Sequence, residues 1–516
     1  MVQVDRPQTG EIQPGEPQAS EPQAESGSEQ PSSRRQRRRL QQHECEDELA
    51  SAFPVRKKWW ILTVIFFIQT SMNFNTTLYS NGIVSVSKEF QVPEDMARLG
   101  AALFLIMYAF GCELWAPWSE EFGRWAVLQI SMGLTNICAL PVGAAPDITA
   151  ILILRAFGGL STAGGSVTFG MVADMYDRDS QQYAIAFVIF SSVFGSILGP
   201  IIGGFVELLP QSEIWRWCAW IQLIFGLVVQ LVHLFSVPET RMTVMMNTIA
   251  RQRRESGMDP EVYGPSEMVT FRDRLTIHQL GVTWLRGFKM LFTERIVAFL
   301  SLLSGLSDAI IFMQIQSMNL IYNQWGFNCW QNGLAFVSFA VGYLIAWAAM
   351  IPGFRRAQRR RDENRILDDF EQFEARLKPM LWTGFCLPLG LGIFAFTGTG
   401  PPQHWIWSMF GTTLIGIANY GIYMSTTDYM VCAYGPYAAS AMGGNGLARD
   451  LLAGVLTPIA RLFYTSMSKE AVKSYASASL LLCFVSTCLF AAAVWVYLHG
   501  GKYRRQSPFA QYLSSH

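Results

Sequence analysis

The sequence predicts an all-α membrane protein with twelve transmembrane helices arranged in two six-helix lobes. Three observations lead to this fold class. Of the 516 residues, 51% are hydrophobic and only 15% are charged, whereas soluble domains carry about 25% charged residues. The apolar residues are grouped in long blocks that begin at Trp59, and each block has the roughly 20 residues that a helix needs to cross the hydrocarbon core. One long polar loop, residues 238–295, divides the blocks into two sets of six.

Hydropathy and length place each span along the chain. The predicted N-terminal lobe covers residues 59–237, with spans near 59–83, 98–118, 126–145, 149–172, 183–206 and 217–237. The predicted C-terminal lobe covers residues 296–498, with spans near 296–321, 332–352, 380–397, 404–427, 437–463 and 475–498. A long loop between two six-span halves is typical of secondary transporters.

The segments outside the lobes are predicted to face the cytoplasm. Residues 1–58 are rich in Gln, Glu, Pro and Ser, which is typical of a disordered tail. The loop 238–295 and the C-terminal tail 499–516 are placed on the same side as this tail, because the number of spans is even. The loops on that side hold most of the Lys and Arg residues, and this bias indicates the cytoplasmic side of a membrane.

Composition and motifs exclude several classes of function. The formal net charge is zero, so nothing indicates a nucleic-acid partner. The sequence has no P-loop, GxSxG or HExxH motif, which argues against ATP hydrolysis and against an enzyme. The cysteines form no CxxC pair and the histidines no HxxH or HxxxH pair, so we expect neither a metal nor a cofactor. No filter motif of a channel is visible, and a gradient-driven carrier is the main hypothesis.

The fifth predicted span contains unusually many poor helix formers. Gly195, Gly199 and Gly203 are four residues apart and share one helix face, and Pro200 and Gly204 lie beside them. In a soluble helix each interior glycine costs about 1 kcal/mol and proline about 3 kcal/mol. In a membrane, small residues let two helix backbones approach closely. The spacing therefore predicts a face that packs against another helix.

This stretch, GSILGPIIGG at 195–204, resembles the antiporter motif in the fifth span of the major facilitator superfamily. APWSEEFGRW at 116–125 is similar to the superfamily's loop between spans two and three, and LRAFGG at 154–159 resembles its fourth-span motif. Segments that look like fungal members of the drug:proton antiporter-1 group are ELWAPWSEEFGR (113–124), WRWCAWIQLIF (215–225), PET (238–240), DYMVCAYGPYAASAMGGNGLARD (428–450) and SPFA (507–510). The resemblance covers residues 59–512 and implies a twelve-span fold with proton-coupled antiport.

The resemblance also implies roles for particular residues. The glycines and the proline of 195–204 would form the gating helix. Glu120 and Arg124, four residues apart, can pair on one helical turn and would clasp the other lobe in the outward-facing state; an ordinary solvated pair is the alternative. Arg155, in the fourth predicted span, would take part in proton coupling; an arginine that snorkels to the membrane surface is the alternative.

Ionisable and polar residues inside the spans are further candidates. Asp308 lies in the middle of the seventh predicted span, and Glu113 lies nearer the inner end of the second. A carboxyl group at such depth can bind and release a proton, so Asp308, Glu113 and Arg155 are the predicted proton-coupling residues. A satisfied polar pair is the alternative for Asp308, and Arg449 and Asp450 are expected to neutralise each other. The polar residues predicted to line a central substrate cavity are Asn73, Asn75, Gln314, Tyr322, Asn419 and Tyr420.

The resulting hypothesis is a secondary active transporter that exports small organic molecules by alternating access, in exchange for protons. By resemblance, the substrates are drugs, toxins or a fungal secondary metabolite. A proton-coupled importer or polyamine carrier of the same fold is one alternative, and a non-transporting membrane receptor is another. The expected partners are the substrate, protons and the lipid bilayer. We expect a monomer in the plasma membrane with both termini in the cytoplasm.

Overall fold

The computed structural model describes residues 38–176, 180–267, 281, 285, 288–362, 373–434 and 438–507. The helices of the N-terminal half are α1 Val55–Phe90, α2 Glu94–Phe122, α3 Arg124–Val142, α4 Ile148–Thr162, α5 Val167–Met175, α6 Gln181–Val206, α7 Ile214–Ser236 and α8 Met242–Glu255. Those of the C-terminal half are α9 Arg295–Tyr322, α10 Cys329–Ala335, α11 Val337–Asp362, α12 Lys378–Thr397, α13 Trp405–Tyr434, α14 Ala438–Ser466 and α15 Ala471–Arg505. All of the predicted spans overlap these helices, and α4–α5 and α10–α11 each serve as one span.

Within the described residues, nine helical stretches are long and apolar enough to cross a membrane. The remaining three long helices, α1, α13 and α14, carry more polar residues. Their polar side chains are buried inside the protein: Gln69, Asn73 and Asn75 on α1, Asp428 on α13, and Asp450 on α14. These helices therefore turn their polar groups towards neighbouring helices, where they can be hydrogen-bonded.

The helices form two groups. α1–α7 pack mainly against one another, as do α9–α15. Between the groups, α2 packs against α14, and α6 packs against α10, α11 and α13, while α1 touches α9. We call the two groups the N-terminal lobe and the C-terminal lobe. The two main helix pairs that join them, α2 with α14 and α6 with α10–α11, leave a space between the lobes.

The two ends of the bundle are named here by the segments that they carry. The tail end carries the first turn of α1, the helix α8 and the last turn of α15. The end that carries the last turn of α1 and the first turn of α15 is called the opposite end. At the tail end, Arg504 of α15 is completely buried and its Nε and Nη2 lie 3.1 and 3.2 Å from the carboxylate oxygens of Glu374. The helix α15 extends to Arg505, past the predicted boundary at residue 499, and this buried ion pair holds its last turn.

Residues 38–54 fold onto the loop that joins the lobes. The strand β1, Arg38–Arg39, pairs in parallel with β2, Val262–Tyr263. Leu40, Cys45 and Leu49 are buried in an apolar cluster with residues of α8. The prediction of a disordered tail over 1–58 is therefore wrong for residues 38–58, because these apolar residues are spaced so that they pack on α8. Residues 1–37 and 508–516 of the predicted tails lie outside the described residues.

Candidate functional site

A cavity of about 340 Å³ lies between the two lobes. Its inner wall contains Gln69, Tyr108, Ser192, Tyr423 and Arg449. Arg449 is eleven residues from the start of α14, a helical rise of about 16 Å, so this wall lies deep in the bundle. The outer wall reaches the tail end. It contains residues from the ends of α2 and α5 and from the loop 238–295, which we call the central loop: Ala116, Ser119, Glu120, Asp174 and Arg241. A volume of this size suits a small organic molecule.

The lobes are joined at the opposite end. Arg98 of α2 donates a hydrogen bond of 2.6 Å to the side-chain oxygen of Gln316 of α9, and Gln316 donates one of 2.8 Å to Ser80 of α1. Glu94 of α2 pairs with Arg461 of α14. The cavity thus reaches the tail end, while polar bonds hold the lobes together at the opposite end.

A buried cluster of three charged residues borders the cavity. Arg449 Nε lies 3.6 Å from Asp308 Oδ2 and 3.4 Å from Asp450 Oδ1, and its guanidinium carbon lies 4.4 Å from the centre of the Tyr423 ring. Two carboxylates and one guanidinium carry a formal charge of −1 when all are ionised, so one proton would make the cluster neutral. The expected pairing of Arg449 with Asp450 is present, and Asp308 is its third member.

Glu113 is a separate buried carboxyl group between the lobes. It is 2% exposed on α2, and a Cβ atom on Gly443 of α14 would lie only 2.7 Å from Glu113 Oε2. Its Oε1 atom has no hydrogen-bond partner among the described residues. A buried carboxylate without a hydrogen bond is costly, and the role of Glu113 in proton binding stays a prediction.

Arg155 lies inside the N-terminal lobe and does not line the large cavity as described. It is 3% exposed and donates hydrogen bonds of 3.0 and 3.2 Å to the side-chain and backbone oxygens of Asn75. Its guanidinium carbon lies 4.6 Å from the ring centre of Tyr79 and 4.1 Å from that of Phe104. The snorkelling alternative is therefore wrong. The three predicted proton-coupling residues occupy three different places.

The predicted lining of the cavity needs correction. None of the six predicted residues belongs to the wall of the large cavity in the described part of the chain. Each instead makes a hydrogen bond to a neighbour: Asn73 to Ser192, Asn75 with Arg155, Gln314 to Tyr464, Tyr322 with Ser408, Asn419 to Ser307, and Tyr420 to the backbone oxygen of Ala186. Hydrogen bonds between helices are a common use of polar residues inside a membrane.

The actual wall includes residues that sequence reasoning missed as lining. Gln69 is one helical turn before Asn73 and had the same signal, a polar residue in an apolar span. The sequence indicates Arg449 only as a partner of Asp450. Tyr108 and Tyr423 gave no signal, because aromatic residues are frequent in most of the spans.

The predicted pair of Glu120 and Arg124 is also corrected. The helix α2 ends at Phe122, and Gly123 has a φ of 97°, so Glu120 and Arg124 belong to different helices. The carboxylate that binds Arg124 is Asp174 of α5, at 2.9 Å from Arg124 Nε. Glu120 contributes its backbone oxygen, which accepts a hydrogen bond of 3.1 Å from Arg241.

Glu239 anchors the central loop to this network. Its carboxylate accepts hydrogen bonds from the backbone N–H groups of Arg124, Trp125, Thr240 and Arg241, at 2.8 to 3.2 Å. Two of these groups belong to the first turn of α3, where a negative charge is favourable. The motif PET at 238–240 was the sequence signal for this residue, although its role could not be derived from the sequence.

The glycines of α6 pack as their spacing predicts. Cβ atoms on Gly195 and Gly199 would lie 2.6 Å from the backbone oxygen of Thr70 and 2.8 Å from the backbone nitrogen of Leu78, and Gly203 faces Asn81. These neighbours are all on α1, in the same lobe. Pro200 is accommodated inside α6, and its backbone oxygen faces α10.

Gly204 has a different neighbour. A Cβ atom on it would lie 2.9 Å from the backbone oxygen of Cys329 and 3.0 Å from the Cα atom of Gly333, both on α10 of the C-terminal lobe. Within this motif, Gly204 and the backbone of Pro200 thus contact the other lobe, whereas Gly195, Gly199 and Gly203 pack inside one lobe.

Comparison with known proteins places these features in a family. The sequence model of the Major Facilitator Superfamily matches residues 63–458. The chain is 29% identical over 463 residues to the MFS-type efflux pump MFS2 of Trichophyton rubrum, covering 88% of this chain and 74% of that protein. It is 26% identical to the efflux pump FUBT of Fusarium oxysporum, covering 89% and 76%. The structure of the xylose transporter XylE from E. coli is similar with a TM-score of 0.57 at 14% identity, covering 86% and 98% of the two chains.

Proposed function

The chain belongs to the Major Facilitator Superfamily and is a multi-pass membrane transporter, and from this premise we propose that it exports small organic molecules in exchange for protons. The predicted all-α membrane fold is confirmed at the level of the family fold. Relatives named as efflux pumps support the outward direction of transport. The observation that carries the proposal is the cavity of about 340 Å³ between the lobes, bordered by the cluster of Asp308, Arg449 and Asp450.

The tail end is assigned to the cytoplasm in this proposal. The Arg and Lys residues of the loops are concentrated there, which favours the cytoplasmic side. A substrate would then enter the cavity from the cytoplasm, while the bonds between Arg98, Gln316 and Ser80 keep the opposite end closed. Release requires the reverse arrangement of the two lobes. We place the protein in the plasma membrane as a monomer.

Protons would act through the charged cluster. With one proton bound the cluster is neutral, and with none it carries a formal charge of −1, so the two states of the cavity wall differ in charge. A buried change of charge is expensive, and it can therefore favour different positions of the lobes. Glu113 and Arg155 are retained as secondary candidates for coupling, since both are buried and ionisable.

The proposal is tested by comparing a strain that carries the gene with its deletion strain. Metabolites that the deletion strain retains in the cell and no longer secretes are candidate substrates, as identified by mass spectrometry of cells and medium. We expect a protonophore to raise the intracellular level of such a compound in the parent strain. The proposal is overturned if the protonophore has no effect while ATP depletion alone stops export. A receptor would give no flux of the compound in proteoliposomes. An importer would cause the compound to accumulate in cells of the parent strain.

A further inference from the structure

The tail end of α11 carries an exposed stripe of arginines. Arg355, Arg356, Arg359 and Arg360 lie in the last two turns of this helix, and all four are exposed to solvent. The spacings of one and four residues put them on one side of the helix. We call them the arginine stripe of α11.

The stripe continues the lipid-facing side of the same helix. Val341, Leu344 and Ile345 are 43%, 50% and 46% exposed on α11, and large apolar side chains exposed on a membrane-spanning helix face the lipid. Arg355 follows Val341, and Arg359 follows Ile345, by 14 residues, which is close to four turns of an α-helix. The arginines and the lipid-facing residues therefore lie on the same side.

The depth of the stripe corresponds to the lipid headgroups. The middle of the predicted span 332–352 is residue 342, and Arg355 lies thirteen residues further, a rise of about 20 Å. The hydrocarbon core extends about 15 Å from the midplane, and the headgroup region continues to roughly 20–22 Å. The guanidinium groups are therefore placed among headgroup phosphates, to which arginine can donate two parallel hydrogen bonds.

We propose that the arginine stripe of α11 is a binding surface for anionic phospholipid headgroups. The charge of the stripe is complementary to phosphatidylserine, and basic residues beside a membrane are attracted to such lipids. This inference does not depend on the substrate or on the direction of transport.

Lipid binding at this place would also act on the contact between the lobes. Phe354, which directly precedes the stripe, is 7% exposed and packs edge-on against Tyr183 of α6, with ring centres 5.7 Å apart. Tyr183 belongs to the N-terminal lobe at the tail end. Headgroups that hold Arg355 and Arg356 in place therefore hold the turn of α11 that contacts the other lobe.

The test uses the full chain in vesicles of phosphatidylcholine with and without phosphatidylserine. After gentle extraction, the lipids that copurify with the protein are quantified by mass spectrometry. We expect phosphatidylserine to be enriched over the vesicle composition for the wild type. The variant R355Q/R356Q/R359Q should lose this enrichment, because each arginine removed should lower the affinity for phosphatidylserine by about fivefold. The variant R355K/R356K/R359K retains the charge and should keep most of it.

A matched control removes three cations from the opposite end, in the variant K88Q/K469Q/K473Q, whose residues are also exposed. This control should retain lipids as the wild type does, and the melting temperature of each variant in detergent reports whether it is folded. The proposal is overturned if the wild type shows no enrichment, as would follow if the arginines bound an acidic protein segment instead. It is also overturned if R355Q/R356Q/R359Q and the control lose phosphatidylserine equally.

Discussion

Gly204 and Gly333 form the contact that a substitution can use to shift the balance between the two arrangements of the lobes. We consider Gly204→Ala. The new Cβ atom would lie 2.9 Å from the backbone oxygen of Cys329 and 3.0 Å from the Cα atom of Gly333. These neighbours are backbone atoms, so neither can move aside as a side chain could. Overpacking of this kind costs about 1–3 kcal/mol.

The contact between α6 and α10 at this place is present with the opposite end closed, and we expect it to part when the lobes separate there, so the cost should fall on the closed state. A penalty of about 2 kcal/mol changes the ratio of closed to open states by roughly thirtyfold. A ratio of about ten to one would become about one to three. We therefore expect Gly204→Ala to favour the state that is open at the opposite end and to slow export.

The assay is double electron–electron resonance between spin labels on cysteines placed at Lys88 and Lys469, one on each lobe at the opposite end. Gly204→Ala should increase the long-distance population. Gly199→Ala is the matched control on the same helix, because Gly199 faces α1 of its own lobe; it should lower stability without changing the distances. Gly392→Ala, where the nearest atom is 3.8 Å away, should change neither. A distance distribution for Gly204→Ala equal to that of the wild type would refute the reasoning.

Three further predictions concern charged residues. Arg124→Gln leaves the largely buried Asp174 with only the more distant Arg241, at 3.6 Å, and should cost about 2 kcal/mol, seen as a lower melting temperature. Glu120→Gln should be nearly neutral, and equal losses for the two variants would restore the pair predicted from the sequence. Asp308→Asn keeps the shape of the charged cluster but removes the carboxyl group that can bind a proton. Export should then lose its dependence on the proton gradient, while substrate exchange partly survives. An unchanged pH dependence of export would exclude Asp308 as the coupling site. Hydrogen bonds from Arg254 lower the pKa of Glu267 below 4.5, so this pair stabilises the fold of the central loop above that pH, and the stabilisation is lost as the pH falls. Proteolysis of the loop should therefore increase on acidification in the wild type and should respond less to pH in Glu267→Gln.

The sequence could predict the spans and the packing face of α6, because both depend on local patterns. An apolar block of about 20 residues forms a transmembrane helix wherever it occurs, and glycines four residues apart share a face whatever lies opposite. The identity of the neighbour could not be predicted. Gly199 and Gly204 belong to one motif, yet they face different lobes, because five residues along a helix correspond to a rotation of about 140°.

The set of residues that line the cavity depends on how each helix is rotated about its own axis. Hydropathy does not determine this rotation. The lining also depends on depth along the helix: Gln69 and Asn73 share one face of α1, one turn apart, yet only Gln69 lines the cavity, while Asn73 donates a hydrogen bond to Ser192. The partner of Arg124 was missed for a related reason. Asp174 is 50 residues away in the chain, and no spacing rule connects two residues at that distance.

The pairing of β1 with β2 bears on the order in which the protein is made. The ribosome synthesises β1 before the first span, and β2 comes shortly after α7. When β2 has emerged, the N-terminal lobe, its anchor at Glu239 and residues 38–54 are all present, although α9 to α15 are still to be synthesised. The first half of the chain can therefore complete its own contacts before the second half enters the membrane, as domains generally do during synthesis.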